Sequence, residues 1–145
     1  PTYKISASYI DGYKLSSTLV YSWPDAVKKA KAAGKILMKR AEKSGIKFRD
    51  TNIEFVGLNA CNEDVDALNQ DLNELNEVQL RVSVHGDSRE DRNRFGMEIA
   101  PLILTGPSGV TGFAGGRPKA SEVVAYWPAL MDKKAATPHV TVYDI

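Results

Sequence analysis

The alternation between Val78 and His85 constrains this chain more than any other feature. Val78, Leu80, Val82 and Val84 fall on one side and Gln79, Arg81, Ser83 and His85 on the other, and a two-residue period is what a strand with one dry and one wet face requires. The chain therefore has to cover one face of a sheet with apolar helices. Val27, Ala30, Gly34, Leu37 and Ala41 recur at spacings of three and four, a narrow helical stripe whose small members permit close approach to a sheet. Ser22 and Asp25 stand ahead of it at capping-box spacing, Pro24 is tolerated in a first turn, and Gly45 suits the C-terminal end. Asp87 and Glu90 repeat that spacing before a second helix, expected from about Ser88 towards Ala100, which buries Phe95 and Ile99 before Pro101 disturbs it.

The remaining segments read mostly as strands. Tyr3, Ile5, Ala7 and Tyr9 alternate with Lys4, Ser6 and Ser8, and Asp11-Gly12 predicts a two-residue turn that folds Tyr13 to Tyr21 back as an antiparallel partner. Ile53 to Leu58, Val123 to Trp127 and Val140 to Tyr143 are further strands, and Glu63 to Leu75 is a short helix or an ordered loop. Two long helices on a mainly antiparallel sheet of about six strands make an α+β fold rather than a doubly wound one. At 145 residues, with no repeat or linker, the chain reads as a single domain over 1–145.

Charge and cysteine content narrow the function classes. Nineteen Lys and Arg against 18 Asp and Glu give no global attraction to nucleic acid or an anionic membrane. The charges are nevertheless segregated: residues 28–49 hold nine cations against Glu42 alone, and residues 50–77 hold eight carboxylates and no cation. No aromatic residues interleave with the lysines as nucleic-acid binding would need, so these blocks are expected to be solvated or to pair between subunits. A single cysteine, Cys61, read as a packing residue, excludes a disulfide framework and suggests a cytoplasmic setting. No apolar run approaches the roughly 20 residues of a membrane span, and Pro1-Thr2-Tyr3 opens in strand-like sequence rather than a leader.

The unusual stretch is Thr105 to Lys119, with five of the 11 glycines, two cations and the hydroxyls of Ser108 and Thr111. Gly112, Gly115 and Gly116 are suited to a backbone nest for an anion, Ser108 and Thr111 to hydrogen bonds, and Arg117 and Lys119 to charge-assisted contacts with a phosphate or carboxylate. The spacing matches neither phosphate-loop fingerprint and Ser108 lacks a nucleophile elbow, so the alternative is a long structural turn. His85 and His139 are the only imidazoles, both expected on the wet faces of strands, and His85, at a strand end, is the acid–base candidate. No ligand cluster for a metal and no cofactor motif is visible.

The residues from Pro1 through Tyr13-Lys14, the Glu98-Ile99-Ala100-Pro101 helix end and above all Gly109-Val110-Thr111-Gly112-Phe113-Ala114-Gly115-Gly116-Arg117-Pro118-Lys119 resemble the latter part of the acyclic terpene utilisation family. The likeness spans essentially the whole chain. It implies breakdown of acyclic isoprenoids such as citronellol and geraniol through acyl-CoA intermediates, with hydratase or lyase chemistry. Members carry a larger α/β portion ahead of this region, so the resemblance implies an active site shared with a second polypeptide bearing that N-terminal half. The other reading is a non-catalytic assembly module of a homo- or hetero-oligomer, in which Trp23, Tyr126 and Trp127 are contact residues.

Overall fold

A computed structural model describes residues 1–58, 60–61, 75–112 and 116–144. The Asp11-Gly12 turn does not form. Thr2–Ser22 is one continuous strand, β1, and Gly12 lies within it at φ 78, where a Cβ would come within 2.7 Å of the Gly86 carbonyl oxygen. The left-handed freedom that suits glycine to a turn is here used inside a strand. The true antiparallel partner is Glu77–Gly86, β3, with Leu15 opposite Val84, Leu19 opposite Leu80 and Tyr21 opposite Val78. That register puts dry residues against dry residues, and shifting it by one would turn every one of them to water.

Asp50–Val56 forms β2 on the other side of β3, also antiparallel. Val110–Thr111, β4, and Ser121–Asp132, β5, both pair with β1, completing five strands in the order β2-β3-β1-β4 with β5 beside β1. The fold is α+β as expected, but Val140 to Tyr143 carries no strand. The expected element over Glu63 to Leu75 lies, except for Leu75, outside the described residues.

Helix α1, Ala26–Lys43, lays the expected stripe on the dry face: Val27, Ala30, Gly34, Leu37 and Ala41 are all buried. It ends as Gly45 predicts, with φ 67, the Gly45 N–H donating to Glu42 and the Ile46 N–H donating to Ala41, a Schellman closure. The capping box at its start is absent. Ser22 still belongs to β1, where its N–H and hydroxyl both donate to the Gly109 carbonyl, so Asp25 caps through its backbone alone and pairs with Lys28 at 2.8 Å.

Helix α2, Arg89–Ile99, buries Phe95 and Ile99 and is capped one residue later than expected, Ser88 accepting the Asp91 N–H at 3.1 Å. Pro101, at the first position of α3, Pro101–Thr105, restarts a helix instead of merely ending one. Among the described residues no helix is long and apolar enough to cross a membrane.

The chain divides into two compact units. Gly12–Val123 holds the helices, the core and the site described next. Pro1–Asp11 with Val124–Ile145 forms a ribbon in which the Ser6 and Tyr126 hydroxyls meet at 3.1 Å and Lys133 lies 5.1 Å over the Tyr3 ring.

Candidate functional site

The face of the sheet opposite the helices is wet, and strand register arranges it in rows. Lys14, His85 and Asp50 face one another across β1, β3 and β2; Ser16, Ser83 and Asn52 form the next row; Thr18, Arg81 and Glu54 the one after. Directly opposed residues sit close enough for their side chains to meet. The Ser16 and Ser83 hydroxyls are 2.9 Å apart, Asn52 donates to Glu54 at 3.0 Å, and Arg81 pairs with Glu54. The Arg81 hydrogen bond holds the Glu54 carboxyl below the usual carboxylate range.

Around the first row lies an open concavity of about 370 Å³, lined by Lys14, Ser16, Asp50, Asn52, Ser83 and His85 among others, with Val123 of β5 on its rim. The His85 side chain is only 20% exposed. Its Nδ1 is 3.3 Å from Asp50 Oδ2 and its Nε2 is 3.3 Å from an Arg49 guanidinium nitrogen. A guanidinium only donates, so Nε2 offers its lone pair and Nδ1 carries the proton towards the carboxylate. Both contacts are slightly long for hydrogen bonds. Arg49 also holds Asp87 at 3.3 Å, and its backbone N–H donates to the His85 carbonyl at 2.9 Å.

Beneath this row sits Arg92, an arginine of α2 that is 0% exposed. It donates to the Lys47 carbonyl, its guanidinium carbon lies 4.9 Å from the Phe48 ring centre, and Phe48 meets Phe95 edge-on at 5.3 Å. Its Nε and one terminal nitrogen have no partner among the described residues. Burial pulls its pKa down from the ordinary value, while Asp91 and Asp87 push it back up. Arg92 thereby pins residues 47 and 48, directly ahead of the Arg49 and Asp50 that hold His85.

The glycine-rich stretch divides. Ser108, Thr111 and Gly112 are exposed at the far end of β1, where Thr111 pairs with Val20, six residues along from the Lys14 that faces His85, a separation of about 20 Å at strand rise. Val20 belongs to the same face as Lys14, so Thr111 shares the wet face with His85 at its other end. Gly115 lies outside the described residues. Gly116, Arg117 and Lys119 are exposed, after which the chain returns to the His85 end: Ala120 donates to Asn93 at 2.9 Å and the Ser121 hydroxyl donates to the Lys14 carbonyl at 3.4 Å. None of the described loop candidates lines the concavity around His85.

His139 is exposed and outside any strand, and Cys61 is exposed rather than packed. Sequence reasoning singles out His85 and does not name Lys14, Arg49 or Asp50, the residues placed around it. Only the pairing register, which sets β1, β2 and β3 side by side, brings them to it.

Residues 1–142 match the family described as Acyclic terpene utilisation family protein AtuA. No curated protein and no solved structure matches the chain.

Proposed function

This chain belongs to the acyclic terpene utilisation family, and from that premise we propose that its wet sheet face is one wall of an enzyme site for an acyl-CoA or another anionic carboxylic substrate, at which water is added to or removed from a carbon–carbon double bond. The observation that carries the reading is His85, held between the Asp50 carboxylate and the Arg49 guanidinium in a concavity. An imidazole oriented by a carboxylate on one nitrogen can use the other as a base, and here Nε2 becomes available when Arg49 turns from it to the anionic group of the substrate. In the elimination direction Nε2 takes the proton from the carbon next to the acyl carbonyl and delivers that same proton to the hydroxyl on the neighbouring carbon, whose C–O bond breaks to release water. In hydration Nε2 takes a proton from the water that attacks the neighbouring carbon and passes it to the carbon next to the acyl carbonyl.

Lys14 and Arg49 flank the imidazole and supply positive charge for a carboxylate or an enolate-like oxygen. A coenzyme A arm is long enough to leave its thioester at His85 and carry its phosphates along the sheet to Ser108, Thr111, Gly112 and Gly116, with Arg117 and Lys119 as cations. The concavity is open, which suits a site completed by a second polypeptide carrying the N-terminal half of the family region.

The two-histidine composition makes the test simple. Imidazole NMR of the chain, titrated with a branched 2-enoyl-CoA and separately with coenzyme A, is expected to move the His85 resonances and leave those of His139 in place. In the assembled enzyme, His85→Gln is expected to lower turnover by about 10²–10⁴-fold. Unmoved His85 resonances at saturating ligand, or full turnover by the variant, overturn the reading.

A second reading is favoured by a separate observation. Trp23, Tyr126 and Trp127 are 63%, 56% and 62% exposed, and exposed aromatic side chains are the usual anchors of protein interfaces. In that reading the chain is an assembly module. Native mass measurement separates the two: a stoichiometric second chain favours the shared enzyme site, and a homo-oligomer favours assembly.

A further inference from the structure

We propose that the outer edge of β2 receives an extended, acidic segment of another polypeptide, which adds to the sheet as a further strand. Three observations converge on this edge. In the order β2-β3-β1-β4, β2 is outermost, so among the described residues no strand pairs with its outer side. An open edge presents a row of backbone donors and acceptors that a further strand can complete.

Beside that edge runs a groove of about 490 Å³ between β2 and α1. Its floor is apolar, made by Gly34, Met38, Ile53 and Phe55. Met38, Ile53 and Phe55 are left half-buried although they pack against the core. An added strand projects alternate side chains to one face, and apolar ones at alternate positions would complete the burial of this floor.

The rim decides the charge of the occupant. Lys31, Lys35 and Lys39 stand at four-residue intervals along one line of α1 and all are exposed. Lys31 lies 6.0 Å over the Phe55 ring, and none of the three has an ion-pair partner among the described residues. Carboxylates on the incoming strand match this row. A second copy of this chain does not, because two-fold pairing of β2 with β2 would bring the two lysine rows face to face. The groove shares no lining residue with the His85 concavity, and the proposal does not depend on the enzyme reading.

The test uses the chain with a capped heptapeptide alternating Glu and Val, as long as the seven residues of β2. Expected are saturable shifts and slowed hydrogen exchange in the Asp50–Val56 amides, loss of both when the peptide is N-methylated at alternate residues, and about tenfold weaker binding to the Lys35→Glu/Lys39→Glu variant. Because the groove and the His85 concavity have no lining residue in common, failure here leaves the enzyme reading intact. Four results overturn the proposal: no shifts with the peptide, equal binding of a Lys-Val peptide, decanoate moving the groove signals where the peptide does not, which marks a small-amphiphile site, or sedimentation of the free chain as a dimer with β2 already protected.

Discussion

Replacing Gly86 by alanine tests the account of the buried arginine most directly, because two physical effects predict opposite signs. Glycine in a strand interior is ordinarily a weakness, and alanine there should stabilise by roughly 0.5–1 kcal/mol. At Gly86, however, a Cβ would overlap a terminal nitrogen of Arg92 and lie 3.1 Å from its guanidinium carbon. The tip of a long side chain usually moves aside at little cost. This one is 0% exposed, bonded to the Lys47 carbonyl and stacked on Phe48.

Displacing it forfeits a hydrogen bond from a charged group, about 1.5–3 kcal/mol, and part of a cation–π contact, about 0.5–2 kcal/mol. After the alanine gain is subtracted, Gly86→Ala is expected to destabilise by about 1–4.5 kcal/mol, a fall in Tm of roughly 3–15 °C for a domain of this size. Urea unfolding of Gly86→Ala, Arg92→Ala and the double variant closes the cycle. In the Arg92→Ala background the new methyl enters vacated space, so the ordinary alanine gain of about 0.5–1 kcal/mol should return, leaving a coupling of at least about 2 kcal/mol. A cost below about 0.5 kcal/mol for Gly86→Ala alone, or the same cost in both backgrounds, refutes the argument that Arg92 is held rigidly beneath the His85 row.

Two further outcomes follow from burial. Tyr21 is fully buried, its hydroxyl has no partner among the described residues, and burial pushes its pKa up to about 12; since the folded state favours the neutral phenol, its contribution is intact below about pH 10 and lost as pH rises towards 12. Urea midpoints between pH 9 and pH 12, values set around the ordinary tyrosine range, should therefore fall less steeply for Tyr21→Phe, and parallel curves would contradict this. Gly34→Ala should raise stability by about 1 kcal/mol, because a Cβ there would make ordinary contacts at 3.5 Å with Leu80 and 3.6 Å with Ile53; a lower urea midpoint would show that the helix needs glycine to approach the sheet.

The features legible in the sequence are those carried by local periodicity. The Val78 to Val84 row and the Val27 to Ala41 stripe are both buried as their spacing demands, since a two-residue or a three-to-four-residue repeat has only one geometry that gathers its apolar members. Gly45 ends its helix as expected for the same local reason. Asp11-Gly12 is not a turn: a glycine with positive φ fits a hairpin and the interior of a strand equally well. The choice between them lies with a partner strand more than 60 residues away, whose dry row matches Leu15, Leu19 and Tyr21.

The same division runs through the site. That His85 stands on a wet face at a strand end follows from the alternation itself. That Lys14 and Asp50 flank it, that Arg49 reaches its second nitrogen, and that Thr111 shares its face about 20 Å away are consequences of register among β1, β2, β3 and β4. Periodicity tells each segment which side of it is dry, because that depends only on neighbours along the chain. Which side chains then meet across the sheet depends on how separate strands align, and this is settled by the burial that all of them gain together when the core closes.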